Sequence, residues 1–234
     1  MQAVVLAGGL GTRLRPYTIF VPKPMLTVGP KPILQHIIEW LSENDVKDIV
    51  VSIGYLGKTI QDYFGDGSEL GVKVDYAVSS RPLGTAGQLK AAEDKLRGRF
   101  VCLYGDSLLR FDLRRLVRYH AEKKATFTMA LMRYSTELKY GFMKTDQTGR
   151  LTQWREKPKV TGDINVGCYV MEKKFLSYMP EGETFGMLEA FNKALDAKER
   201  LYGLRMEGEF LDIGDRQSYK RANDIFTERF GKVP

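Results

Sequence analysis

The stretch from Leu6 to Met25, LAGGLGTRLRPYTIFVPKPM, gathers the residues of this chain best suited to chemistry. Gly8, Gly9 and Gly11 follow a short apolar run, Gln2 to Leu6, and Thr12 and Arg13 come directly after them. Glycines let a backbone turn tightly and come close to a ligand. Successive N–H groups in such a loop form a concavity suited to phosphate oxygens. Arg13 adds a planar fork of donors that matches phosphate geometry. Ten residues on, Lys23 supplies a second cation, held between Pro22 and Pro24. This combination predicts a site for a polyphosphate. It is not a dinucleotide-binding fingerprint, because Leu14 stands where the third glycine belongs. Nor is it a Walker A loop, since no Lys-Ser/Thr follows the glycines. Gly57-Lys58-Thr59 imitates the end of one, but Ser52 occupies the required glycine position, so a turn opening a helix is expected there.

Three further segments carry candidate groups. Pro82-Leu83-Gly84-Thr85-Ala86-Gly87 opens a predicted helix, where small residues and free N–H groups can admit a base, a ribose or a phosphate, or simply form a glycine-rich cap. Asp106, in Tyr104-Gly105-Asp106, lies just past a predicted central strand, the place where open α/β sheets bind ligands. Mg²⁺ favours one or two such carboxylates together with phosphate oxygens; an N-cap or turn aspartate is the alternative. Asp212, in Phe210-Leu211-Asp212-Ile213-Gly214, is either a second metal ligand or a turn residue, and Asp215 competes as the cap of the last helix. Lys157, in Glu156-Lys157-Pro158, could meet a second phosphate or belong to a charged turn. His36 and His120 lie on predicted helices without cysteine or carboxylate at ligand spacing and read as structural. No nucleophile elbow and no Ser/His/Asp arrangement occurs, so covalent catalysis is not expected.

The elements that must position these groups alternate. Strands are predicted at Gln2 to Leu6, Asp48 to Ile53, Val72 to Val78 and Phe100 to Tyr104. Helices are predicted from Pro32, over Thr59 to Phe64, Thr85 to Leu96 and Asp112 to Lys124. This β-α repetition predicts a mainly parallel sheet with helices on both faces. After residue 125 the pattern changes, with strands at Thr126 to Arg133 and Asn165 to Met171, a hairpin of Phe142 to Thr145 and Leu151 to Arg155, and a strand at Leu201 to Met206. Helices cover Phe185 to Ala197 and Asp215 to Phe230, the last with Tyr219, Ala222, Phe226 and Phe230 on one face. No linker or repeat interrupts the chain, which reads as one domain with a nucleotide half and an acceptor half.

The 234 residues suffice for one full core. No apolar run approaches the ~20 residues that span a bilayer, and Met1 leads straight into a core strand rather than a signal peptide. Cys102 and Cys168 lie far apart in apolar stretches and read as buried thiols of a reducing compartment. A cytoplasmic protein without membrane association is expected. The formal charge of +7 is spread out, as in Arg110, Arg114, Arg115 and Arg118, and no nucleic-acid-binding motif accompanies it. A solvated helix face accounts for that cluster, and no nucleic-acid partner is expected.

LAGGLGTRLRP…VPKPM, PLGTAG, YGD, EKP and FLDIG occur here in the order seen in sugar-1-phosphate nucleotidylyltransferases, and the chain resembles that family from residue 1 to about residue 225. The look is closest to short mannose-1-phosphate or heptose-1-phosphate guanylyltransferases, with GTP and mannose 1-phosphate as the implied substrates; a glucose-1-phosphate thymidylyl-, uridylyl- or cytidylyltransferase and a non-catalytic nucleotide-sugar-binding regulatory subunit stay open. The resemblance implies a Rossmann-like α/β/α nucleotidyltransferase fold with a mixed, mainly parallel central sheet. It implies one domain over 1–234, with a nucleotide half to about residue 125 and a sugar-phosphate half beyond. The reaction implied is NTP plus sugar 1-phosphate giving NDP-sugar and pyrophosphate, with Mg²⁺ as cofactor and a homodimer as the assembly to expect. By the same motifs, Leu6, Gly8, Gly9, Gly11, Thr12, Arg13, Lys23, Gly84, Thr85, Ala86, Gly87 and Asp106 would hold the nucleotide. Arg13 and Lys23 would be the catalytic cations, and Asp106 and Asp212 would bind the metal. Gly141, Glu156, Lys157 and Asn165 would contact the sugar phosphate. The chain departs from the family pattern in three places: Ser79-Ser80-Arg81 replaces the usual acid or glutamine before PLGTAG, Tyr104 replaces an asparagine, and Gln88 follows TAG where a small or apolar residue is common. It ends at Pro234 without the β-helix domain of some relatives, so acetyl transfer is not expected.

Overall fold

Gln2–Leu6 forms strand β1 and is buried along its whole length, as a strand covered on both faces must be. Ala3 and Val5 enter one hydrophobic core, while Val4 and Leu6 enter a second one. This alternation is the period of two that sends successive side chains to opposite faces. The computed structural model describes residues 1–230 and surrounds β1 as follows. Two short strands, β2 (Thr27–Val28) and β3 (Lys31–Pro32), precede helix α1 (Ile33–Glu43) and strand β4 (Asp48–Ile53). Then come α2 (Gly57–Phe64), β5 (Lys73–Val78), α3 (Gly84–Lys90), β6 (Arg99–Tyr104), β7 (Ser107–Arg110) and α4 (Leu113–Glu122). The second half holds β8 (Phe127–Glu137), β9 (Phe142–Thr145), β10 (Leu151–Arg155), β11 (Lys159–Glu172), α5 (Met187–Asp196), β12 (Leu201–Arg205), β13 (Glu209–Asp212) and α6 (Arg216–Phe230).

The main sheet has seven strands in the order β12-β8-β11-β6-β1-β4-β5. β1 pairs in parallel with β4 and β6, β4 with β5, and β12 with β8. β11 runs antiparallel to both β6 and β8. The sheet is therefore mixed and mainly parallel, as expected from the sequence. Residues of α1, α2, α4 and α6 pack on the face of Ala3 and Val5, and residues of α3 and α5 on the face of Val4 and Leu6. The result is an α/β/α sandwich.

Local signals account for most boundaries. Asp112 caps α4 by accepting the Arg114 N–H at 3.1 Å, and Asp215 accepts the Ser218 N–H at 2.8 Å ahead of α6. Tyr219, Ala222 and Phe226 face the core as predicted; the Phe230 side chain and residues 231–234 lie outside the described residues. The helix expected over Thr85 to Leu96 stops at Lys90 and continues as a 3₁₀ turn, Glu93–Lys95. Leu89, Ala92 and Leu96 stay buried, because a 3₁₀ turn also presents apolar residues three apart on one side. The Gly57-Lys58-Thr59 decoy opens α2, and Lys58 pairs with Asp62 one turn on. His36 Nε2 lies 2.9 Å from the Val28 carbonyl, and the fully buried His120 ring lies 2.8 Å from Thr128 Oγ1. Burial holds His120 below the usual histidine range. Cys102 and Cys168 are free and buried, and burial pushes both thiols up, away from reactivity. No helix among the described residues is long and apolar enough to cross a membrane.

Candidate active site

From β1 the chain builds β4 and β5 on one side, then returns to place β6 on the other. Loops leaving β1 and β6 therefore diverge, and a crevice opens at their carboxyl ends. A cleft of about 380 Å³ lies there, lined by Leu6, Gly9, Arg13, Lys23, Thr85, Gln88, Tyr104, Asp106, Asn165 and Asp212 among others. The two loops are knit together at their base. The Gly105 N–H donates to the Leu6 carbonyl at 2.9 Å, and a Cβ at Gly105 would stand 2.8 Å from that oxygen. Only glycine permits this approach.

The glycine loop is fixed from both sides. The Gly8 N–H donates to Gln88 Oε1 on α3 at 2.9 Å. Gly11 adopts φ 61°, and the Thr18 hydroxyl donates to its carbonyl at 2.8 Å. Its α-carbon faces Lys23 so closely that a Cβ would lie 3.2 Å from that of the lysine. The loop thus closes down on Lys23, which opens a short 3₁₀ turn between Pro22 and Pro24 and is 8% exposed. Helix α6 buttresses this segment from behind. Tyr219 donates to the Thr27 carbonyl at 2.8 Å, Arg216 Nε to the Arg15 carbonyl at 2.8 Å, and Asn223 Oδ1 accepts the Gly29 N–H at 3.1 Å.

The charged centre is assembled by pairing that joins distant parts of the chain. β13 pairs antiparallel with β7, which sets Asp212 opposite Ser107, next to Asp106. The Asp106 carbonyl accepts the Ile213 N–H at 3.1 Å. Lys23 Nζ lies 2.6 Å from Asp106 Oδ2. Asp212 accepts no side-chain hydrogen bond among the described residues, and its carboxyl is raised above its ordinary value by desolvation and then by the Asp106 charge, with Lys23 and Arg13 opposing. Arg13 is exposed and makes no hydrogen bond or salt bridge among the described residues. Two neighbouring carboxylates, one of them unpaired, offer hard oxygen ligands whose mutual repulsion a divalent cation would offset. No group of three or more His, Cys, Asp or Glu forms a metal cluster among the described residues. The donor set suits Mg²⁺ that completes its shell with phosphate oxygens and water.

Opposite the glycine loop, a register shift in β11 between Asn165 and Tyr169 turns a bulge toward the cleft. Asn165 Oδ1 accepts the Gly167 N–H at 2.9 Å, and its amide donates to Tyr169 at 2.7 Å; Tyr169 donates to Tyr104 at 3.0 Å. Gly167 takes φ 71°, and a Cβ there would strike the Tyr104 ring at 2.7 Å. The tyrosine that departs from the family pattern therefore fills space that a glycine leaves.

The family described as nucleotidyl transferase matches residues 2–229 of this chain. The chain belongs to the nucleotidyl transferase family. The chain is 33% identical over 241 residues to the UTP–glucose-1-phosphate uridylyltransferase of Synechocystis sp., covering 95% of this chain and 62% of the relative. It is 32% identical to the mannose-1-phosphate guanylyltransferase of Mycobacterium tuberculosis, covering 95% of this chain and 64% of the relative. The chain thus spans a little under two thirds of the length of those two relatives. It is also 32% identical to the D-glycero-alpha-D-manno-heptose 1-phosphate guanylyltransferase of Aneurinibacillus thermoaerophilus, covering 95% of this chain and 96% of that one. Among solved structures, HddC from Yersinia pseudotuberculosis complexed with GMP-PN superposes with a TM-score of 0.76 at 26% identity, over 96% of this chain and 99% of that one. These findings bear out the family read from the ordered motifs.

The fold sorts the residues singled out from the sequence. Leu6, Gly9, Arg13, Lys23, Thr85, Asp106, Asn165 and Asp212 meet in the cleft lining. Gly8 and Gly11 belong to the glycine loop and Thr12 opens the 3₁₀ turn Thr12–Leu14 that carries Arg13; none of the three is in the lining. Ala86 and Gly87 both donate their N–H groups to the Phe185 carbonyl, at 3.0 and 3.1 Å. A Cβ at Gly84 or Gly87 would stand 2.6 Å from the carbonyl of Phe185 or Glu183. Packing against that segment thus demands the glycines of PLGTAG. Gly141, Glu156 and Lys157 are not in the cleft lining; Glu156 instead accepts from Trp154 Nε1 at 3.0 Å beside Gly141. Gln88 and Tyr104, noted in the sequence only as departures, both line the cleft. Gly167 was missed, although a glycine inside an apolar strand is itself a bulge signal.

Proposed function

We propose that this chain transfers a nucleotidyl group from an NTP to a sugar 1-phosphate, with release of pyrophosphate and dependence on Mg²⁺. The observation that supports this best is the convergence of Arg13, Lys23, Asp106 and Asp212 on one cleft at the switch point of the sheet. The sugar phosphate oxygen attacks the α-phosphorus in line with the leaving pyrophosphate. Two like charges ~4 Å apart repel by roughly 4 kcal/mol at an effective dielectric of ~20, and several such pairs meet in this reaction. Arg13 and Lys23 offset that repulsion and stabilise the charge that builds on the phosphates. Asp106 and Asp212 would hold Mg²⁺, which would supply further charge neutralisation of the phosphates. The attacking phosphate is already ionised near neutral pH, so the site needs no general base.

For the substrates, the reading is GTP with mannose 1-phosphate. Similarity to the Mycobacterium and Aneurinibacillus guanylyltransferases and to the GMP-PN complex of HddC supports it. The Synechocystis uridylyltransferase favours UTP with glucose 1-phosphate as the second pair. The test is Mg²⁺-dependent pyrophosphate release over a grid of GTP, UTP, dTTP, CTP and ATP against mannose, glucose, N-acetylglucosamine and heptose 1-phosphates. One strong combination with GTP and mannose 1-phosphate is expected. Binding of nucleotide sugars without turnover in any combination would instead make the chain a regulatory subunit.

A further inference from the structure

The cleft has two poles. Lys23, Asp106 and Asp212 cluster beyond β6, whereas Gln88 meets the glycine loop on the opposite side of β1, toward β4. There the Ser52 hydroxyl of β4 donates to the Gln88 carbonyl at 3.3 Å, and the Gly54 N just past β4 lies 3.3 Å from the Cβ position of Gly8. Gly8, Ser52 and Gly54 lie behind Gln88, and of this group the neutral Gln88 is the one that lines the cleft. Phosphates belong at the charged pole, and a flat base fits the other.

Gln88 is 8% exposed, and it lines the cleft. Its Oε1 accepts the Gly8 N–H at 2.9 Å. A backbone N–H can only donate, so the amide cannot turn over without setting two donors against each other. Its NH₂ therefore points away from Gly8 and has no hydrogen-bond partner among the described residues. The one fully buried side-chain polar atom without a partner among them is Ser79 Oγ, so the Gln88 NH₂ group is accessible from the cleft. Arg81, at the same end of the sheet, is engaged by the Gly182 carbonyl. A fixed donor in a nearly closed wall calls for an acceptor on the ligand. Guanine O6 and thymine or uracil O4 are acceptors, whereas adenine and cytosine carry amino donors at the equivalent positions.

We infer that Gln88 is a specificity-determining residue whose side-chain NH₂ donates to the base carbonyl, selecting guanine, uracil and thymine nucleotides over adenine and cytosine ones. The inference rests on the nucleotidyl-transfer reading above. Gln88→Glu keeps an oxygen for the Gly8 N–H but replaces the donor with an acceptor, and Gln88→Met removes the side-chain donor and acceptor without adding charge. Binding of GTP, UTP, dTTP, ATP and CTP is measured by calorimetry on the wild type and both variants, alongside pyrophosphate release with the best sugar 1-phosphate. The wild type should favour the keto nucleotides, and each variant should lose about 10- to 100-fold of that preference, the worth of one good base contact. A wild type that prefers ATP or CTP, or variants that weaken all five nucleotides by the same factor, would overturn the inference and leave Gln88 as a brace for the glycine loop. Should Gln88→Glu fail to fold by circular dichroism, Gln88→Met decides alone. Failure of the transfer reading shows differently, as nucleotide binding with no pyrophosphate release in any combination.

Discussion

Neutralising Asp106 should cost the fold more than removing Lys23, although the two share one salt bridge. At 2.6 Å and an effective dielectric of ~20, their attraction is about 6 kcal/mol, much of it offset by desolvation. The side chains differ in what remains after truncation. The Lys23 side chain by itself is 10% exposed and that of Asp106 32%. Asp106→Asn strands a buried ammonium, for which about 3–5 kcal/mol is the expected loss. Lys23→Met leaves a carboxylate that water reaches and fills the lysine channel with apolar atoms, so about 1 kcal/mol is expected. Asparagine also relieves Asp212 of a like charge, a smaller effect on an exposed group. At about 2–4 °C per kcal/mol for a chain of this size, Tm should fall by roughly 6–20 °C in Asp106→Asn and by about 2–4 °C in Lys23→Met. The double variant should fall well short of the sum. Urea unfolding with unchanged m-values checks that the folded and unfolded states stay comparable. Equal losses, or a larger loss in Lys23→Met, would refute the claim that burial of the lysine governs this pair.

Arg13 is exposed and unpaired among the described residues, so Arg13→Ala should leave Tm within about 1 °C while turnover falls on the order of 10²–10³; near-normal turnover removes it from the catalytic machinery. Lys174 and Thr126 hold Glu199 down to about 2, from an ordinary 4.5. Its folded value is depressed, so its stabilisation is full above about pH 4.5 and disappears as pH falls through 2. Unfolding of Glu199→Gln across that window should show a shallower acid loss than the wild type, and parallel curves would contradict the assignment.

Much of this protein could be read before any coordinates. The run Gln2 to Leu6, the Asp112 cap and the apolar face of Tyr219, Ala222 and Phe226 are local signals, and each keeps its meaning in the fold. The motif from Leu6 to Met25 is local too, and its glycines, arginine and prolines could announce a phosphate site because loop geometry is encoded within a few residues. What lay beyond reach depends on contacts between distant segments. β7 and β13 are four residues each, too short for period to identify, yet their register is what sets Asp212 beside Asp106. PLGTAG carries glycines because another segment presses on them, and a neighbour's pressure leaves no trace in the motif itself. Gln88 reads as an odd polar residue in a buried helix until Gly8, eighty residues earlier, is seen to orient its amide. Sequence alone thus determined the family, the layers and the chemical types at hand. Tertiary structure decided which of those groups face one another, because the direction of a hydrogen bond and the pairing of charges belong to the space between segments.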